Sequence, residues 1–204
     1  MFVVFVYLFS GLFKDFLIYF FIIFVHEAGH AITGILLGWK LKCISIYPFG
    51  GYTKFDEDIN RPMKEEMLIL LMGPLVQIIT CGLILLLFPH LSFGSLFLQY
   101  NLSILLFNLL PIYPLDGGRM VNLFFNKFFP FLKSLNLSLF FSILLLSLLI
   151  GFSIHYKLLM NFIAVLCFLG VLIYKEYRNR KYYFTKFKLE RFLKNYSFFR
   201  IKYI

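Results

Sequence analysis

Long apolar runs alternate with short polar intervals along this chain. Residues 16–39 form one run, interrupted only by a His/Glu motif. Residues 67–88 and 91–114 form two more, neither with a charge, and 135–153 and 158–174 follow. A helix needs about 20 apolar residues to cross the hydrocarbon of a bilayer. Residues 1–13 are apolar but short, which fits a stunted first span or a half-insertion. No basic segment precedes them, so they do not read as a cleaved signal peptide. The pattern therefore predicts about six transmembrane helices.

One polar interval reads differently. Within 40–66, Cys43-Ile44-Ser45-Ile46-Tyr47 alternates weakly, with β-branched residues at 44 and 46. Pro48-Phe49-Gly50-Gly51 then forces a turn. Residues 41–55 are expected to form a short β-hairpin or re-entrant loop beside the membrane. The acids 56–58 that follow read as a solvated charge run. The expected fold class is all-α and polytopic, with 1–174 as the transmembrane domain and 175–204 as a basic cytoplasmic tail.

Composition strengthens the membrane reading. Hydrophobic residue types make up 61% of the chain and the mean hydropathy is +0.84. A soluble chain is usually about 45–50% apolar. The net charge of +10 is unevenly placed, with half of the 20 Lys and Arg between Lys175 and Lys202. With six spans, only Lys14 and Lys157 fall on the side opposite the other basic residues. Excess Lys and Arg mark the cytoplasmic side, so the tail is assigned there and no direct nucleic-acid partner is expected. The tail is expected either to lie on anionic lipid as an amphipathic helix or to stay partly ordered. Cys43, Cys81 and Cys167 stand far apart and imply no disulfide framework.

An ionised side chain within the hydrocarbon costs about 2.5–3.5 kcal/mol, so acids in apolar runs need a reason. Of the 10 acids, Glu27 and Asp116 stand in such surroundings. His26 and His30 lie four residues apart, hence on one helix face. Two imidazoles so placed suit one Zn²⁺. Glu27 is offset by about 100° and fits a general base for the attacking water. Gly29 lets a backbone or a substrate come close. A catalytic zinc ion usually takes three protein ligands. Asp116 is the candidate third; His90 and His155 are alternatives, but both fall on the non-cytoplasmic side and read as interfacial.

Asp116 closes the stretch Asn108-Leu109-Leu110-Pro111-Ile112-Tyr113-Pro114-Leu115-Asp116-Gly117-Gly118-Arg119. Two prolines and two glycines argue against a regular helix. Broken backbone at membrane depth is tolerated where it lines a polar cavity. Asn108, read as buried, is placed to hydrogen-bond a substrate strand or an oxyanion.

These two motifs, H-E-x-x-H and N-x-x-P-x-x-P-x-D-G, resemble those of the site-2 proteases, intramembrane zinc metalloproteases. Pro48–Gly51, Asn60-Arg61-Pro62-Met63-Lys64-Glu65-Glu66, Gly73-Pro74, Tyr100-Asn101-Leu102-Ser103-Ile104-Leu105 and Lys175-Glu176-Tyr177-Arg178 are similar to the sporulation branch of that family. The resemblance implies His26, His30 and Asp116 as zinc ligands and Glu27 as the base. It implies that Asn108, Pro111 and Pro114 shape the substrate cleft, and Phe49, Gly50 and Gly51 are candidate substrate contacts in the hairpin. It further implies a membrane-associated pro-sigma-K substrate, inhibitory membrane partner proteins, and a place in the membrane around the forespore. Oligomeric state, including a homo-oligomer, is open. Better-known members carry a cytoplasmic CBS domain after the last span; the basic tail is too short for one, so regulation by nucleotide is not expected. Two other readings stand beside this one: cleavage of a transmembrane anti-sigma factor or remnant peptide, and a non-enzymatic metal transporter using the same three ligands. A transporter would more often repeat its site in two halves.

Overall fold

The computed structural model describes residues 13–47, 50–59, 61–88, 94–156 and 160–194. Among these residues lie helices α1 (Phe13–Leu36), α2 (Met63–Leu87), α3 (Gly94–Leu109), α4 (Asp116–Phe128), α5 (Phe131–His155) and α6 (Met160–Lys194). Strands β1 (Leu41–Tyr47) and β2 (Gly50–Phe55) form one antiparallel hairpin between α1 and α2. The chain is an all-α integral membrane protein carrying one small hairpin. Three of the described helices, α1, α2 and α5, are long and apolar enough to cross a membrane. The run at 91–114 becomes the 16-residue helix α3, about 24 Å long at 1.5 Å per residue. The run at 1–13, apart from Phe13, lies outside the described residues.

The chain divides into two compact units, the first drawn from Met1–Asp56 and Leu71–Phe107. Its core gathers Ile18, Ile22 and Ile23 of α1 with Cys81, Phe97 and Ile104, and Ile46 of the hairpin packs on it. α1 stops at a glycine. Gly38 has φ +78°, a conformation costly for any residue with a Cβ, and the Trp39 N–H donates back to the Gly34 carbonyl at 2.8 Å. The turn sends the chain into β1. The hairpin register pairs Cys43 with Lys54, Ile44 with Thr53, Ser45 with Tyr52 and Ile46 with Gly51. Strand residues alternate between faces, so Gly51, Thr53 and Phe55 point one way. Gly51 and Thr53 meet Glu27, and Phe55 lies over Gly34, two turns further along α1.

The second unit is drawn from Glu57–Leu70 and Asn108–Ile204. α5 presents buried Ser134, Ser138 and Ser142 four residues apart. Each of the last two hydroxyls donates to the carbonyl one turn earlier, at 3.0 and 2.7 Å. Small residues of this kind let helices approach closely where water does not drive packing. Ser134 reaches the Asn122 carbonyl of α4 at 3.0 Å, and Ser142 accepts the Tyr113 N–H at 2.8 Å. The break between α3 and α4 is thereby satisfied: Leu115 N–H also donates to the Ile112 carbonyl at 2.9 Å.

Three expectations change here. Gly117 and Gly118 do not break a helix; they sit in the first turn of α4. A Cβ on Gly117 would strike the Leu109 carbonyl, and one on Gly118 the Ile112 and Tyr113 backbone. The glycines therefore serve close approach. Asn108 is half-buried; the deeply buried asparagine upstream is Asn101. Finally, Glu57 is not simply solvated. It pairs with Arg61, and the neighbouring Ile59 N–H donates to the buried carboxylate of Glu190 at 2.8 Å.

Glu190 belongs to α6, which runs unbroken from Met160 to Lys194. Its distal part keeps a packed face: Phe187 stacks on Phe131 with centroids 4.9 Å apart and planes 11° off parallel, and Arg180 reaches Asn136 at 3.3 Å. Its other face exposes Lys181, Tyr182 and Lys188. Phe→Ala at a buried site costs about 3–5 kcal/mol. Phe187→Ala should therefore lower the midpoint of thermal unfolding in detergent and speed tryptic cutting at Lys181, Lys186 and Lys188, read by timed digestion.

Candidate active site

The chemistry of the first unit is concentrated on one turn of α1. His26, Glu27 and His30 are each 5% exposed or less, although the helix around them is apolar. Helical spacing stacks the two imidazoles, and their Nε2 atoms face each other at 3.1 Å. A zinc ion about 2.0–2.1 Å from each nitrogen can touch both at that separation.

The orientation of His26 is fixed from α2. Its Nδ1 lies 2.8 Å from Oε1 of Gln77, and the Gln77 amide donates to the Asn101 carbonyl of α3 at 2.9 Å. With the amide nitrogen committed to Asn101, Gln77 presents its oxygen to His26. That oxygen needs a proton on Nδ1, which puts the lone pair of the neutral ring on Nε2, the nitrogen facing His30. A histidine ligand is generally held this way through its other nitrogen. Gln77 sits in an uncharged apolar run, and its residue type alone gave no hint of this role.

Glycines make room for the same side chains. A Cβ on Gly73 would collide with the His30 ring, and one on Gly29 would lie 2.7 Å from the Met72 carbonyl. The close approach expected at Gly29 is thus made by the α2 backbone. Glu27 is held from the hairpin: the Thr53 hydroxyl lies 2.6 Å from its Oε2. Gly51 faces its other oxygen, Oε1, which would lie 2.5 Å from a Cβ at that position.

The remaining candidates fall as follows. Gly50, with φ +145°, opens β2. Phe49 and His90 lie outside the described residues. His155 is exposed at the end of α5 and packs edge-on to Tyr156 at 4.9 Å. In the second unit, Asp116 is half-buried in the first turn of α4, where the helix dipole favours a carboxylate. Asn108 is the penultimate residue of α3. Pro111 is exposed, Pro114 is half-buried after a cis peptide bond with Tyr113, and both lie in the break. Arg119, one turn past Asp116, interacts with Glu176 of α6. Burial pushes the Glu176 carboxyl up, while Arg119, the Tyr183 hydroxyl and Lys175 pull it down.

Comparison with known proteins accords with this site. Residues 15–94 match Peptidase family M50. Stage IV sporulation protein FB of Bacillus subtilis (strain 168) is 38% identical over 191 residues, covering 91% of this chain and 66% of that protein. The chain belongs to peptidase family M50. The solved site-2 protease from Methanocaldococcus jannaschii superposes with a TM-score of 0.67 at 25% identity, covering 81% of this chain and 78% of that one. A zinc metalloprotease of the same archaeon is 34% identical over 127 residues, 58% of this chain and 36% of that protein. The chain thus spans just under two thirds of the sporulation protein's length and 36% of the archaeal zinc metalloprotease's.

Zinc is the metal that the M50 relatives' names carry and that the donors suit: imidazole nitrogens from a single helix turn, one with its far nitrogen already committed. If Gln77 sets the His26 tautomer, Gln77→Leu should weaken zinc binding about 10–100-fold. Competition with a chromophoric chelator measures this, and an unchanged dissociation constant removes Gln77 from that role.

Proposed function

We propose that this chain is an intramembrane zinc metalloendopeptidase that cuts a membrane-associated substrate, the pro-sequence of sporulation sigma factor K, near the cytoplasmic side. The observation that carries the enzymatic reading is the buried turn of α1, with two Nε2 atoms 3.1 Å apart and a carboxylate between the histidines in sequence. The substrate assignment rests on similarity to a sporulation protein and on the Lys and Arg distribution, which favours a cytoplasmic tail. Inhibitory membrane proteins are its expected regulators.

In this reading His26, His30 and Asp116 hold the ion. Each offers one ligand atom, and two neutral imidazoles with one carboxylate suit a site that keeps a fourth position open. Bound zinc supplies a lowered pKa for water and polarises the scissile carbonyl. Glu27 takes the proton from the attacking water and passes it to the leaving amine. Asn108 donates to the substrate or its developing oxyanion, and Pro111 and Pro114 keep the neighbouring backbone non-helical. A helical substrate hides its carbonyls, so it must be extended first. The hairpin, with Gly50 and Gly51 at its turn end, offers a strand edge for that.

Co-expression with pro-sigma-K in a heterologous host, followed by immunoblotting, tests the proposal. The wild-type chain should shorten the substrate. Glu27→Gln should keep its zinc and lose about 10²–10⁴-fold in rate, and Asp116→Ala should be purified with little zinc. Undiminished cleavage by Glu27→Gln would remove it as base, and full zinc content in Asp116→Ala would remove the third ligand.

A further inference from the structure

The hairpin does more than lie beside the membrane. Its β2 strand turns Gly51, Thr53 and Phe55 toward α1, and two of these three meet the carboxylate of Glu27. Thr53 is 8% exposed. Its hydroxyl lies 2.6 Å from Oε2 and 3.2 Å from the main-chain carbonyl of the same glutamate. A hydroxyl has one proton. The shorter contact, to a charged acceptor, is the stronger, so Oε2 receives it. Gly51, on the same face of the strand, packs against the rest of that side chain: a Cβ there would strike Cγ, Oε1 and the carboxyl carbon. The two oxygens are thereby made unequal: one is tied to the strand, and the other is left to carry the proton.

We infer that Thr53 is the positioning residue of the base, holding the Glu27 carboxylate by Oε2 in the pose from which it takes the proton. The inference rests on the proposed protease function. The glutamate side chain has three rotatable bonds and no other hairpin contact of this kind among the described residues. Without the hydroxyl, the carboxylate loses the hydrogen bond that ties it to the strand.

Thr53→Val keeps the shape and removes the donor; Thr53→Ser keeps the donor. A hydrogen bond to a charged group contributes enough that its loss corresponds to about a ten- to hundredfold change. The expected result is a kcat lowered by about that factor in Thr53→Val, with KM and zinc content at wild-type values, and most of kcat restored in Thr53→Ser. If Thr53→Val does not fold, as shown by loss of zinc from the purified protein, Thr53→Ala against Thr53→Ser isolates the hydroxyl, and equal kcat in that pair overturns the inference. So does wild-type kcat in Thr53→Val, or a loss carried entirely by KM. A wild-type chain that binds zinc but cleaves nothing would overturn the protease reading itself, whereas a cleaving wild type with an indifferent Thr53 overturns only this one.

Discussion

The structure depends on burying three polar side chains on one turn of a helix that is otherwise apolar. Unpaired, such groups are costly: an amide or hydroxyl without a partner loses several kcal/mol in an apolar medium, and an ionised carboxylate far more. Here each has a specific neighbour within the same unit. Gln77 takes the far nitrogen of His26, Thr53 takes one oxygen of Glu27, and the two Nε2 atoms face one shared position. The packing of α2, α3 and the hairpin around α1 follows from supplying these partners. Asn101 contributes only a backbone carbonyl, yet that carbonyl is what orients Gln77.

Room is supplied by the complementary device of leaving side chains out. Gly73 yields to the His30 ring, Gly51 to the Glu27 carboxylate, and Gly29 to the α2 backbone. The second unit uses the same logic at its broken segment. Gly117 and Gly118 let the start of α4 fold back against the end of α3, and Ser142 of α5 accepts the N–H that the break sets free. A non-helical stretch can persist at membrane depth because protein, not lipid, satisfies its backbone.

This division explains which parts were legible in the sequence. His26, Glu27 and His30 stood out because ionisable residues in an apolar run are rare, and the hairpin stood out because β-branched alternation met a Pro-Gly turn. Gln77 and Thr53 were hidden, since an amide in one apolar run and a hydroxyl in a polar loop are both unremarkable alone; only the fold shows what they face. Gly117 and Gly118 misled because glycine signals a break as readily as close approach, and α4 was therefore missed. The basic tail read as an appendage because its charge outweighed the regular spacing of Phe187 and Glu190, which face inward on α6.

The alternation of β2 also limits how a substrate can be recognised. Gly51, Thr53 and Phe55 are committed to α1, so the strand cannot turn that face to a partner without releasing Glu27. In the proposed mode of substrate binding, an incoming strand adds at a sheet edge, through backbone N–H and C=O groups that carry no side-chain information. What discrimination the hairpin provides must come from its other face, where Tyr52 and Lys54 are exposed. Strand parity thus divides the hairpin: odd positions pack against α1, two of them on the Glu27 carboxylate, and the even positions Tyr52 and Lys54 are exposed.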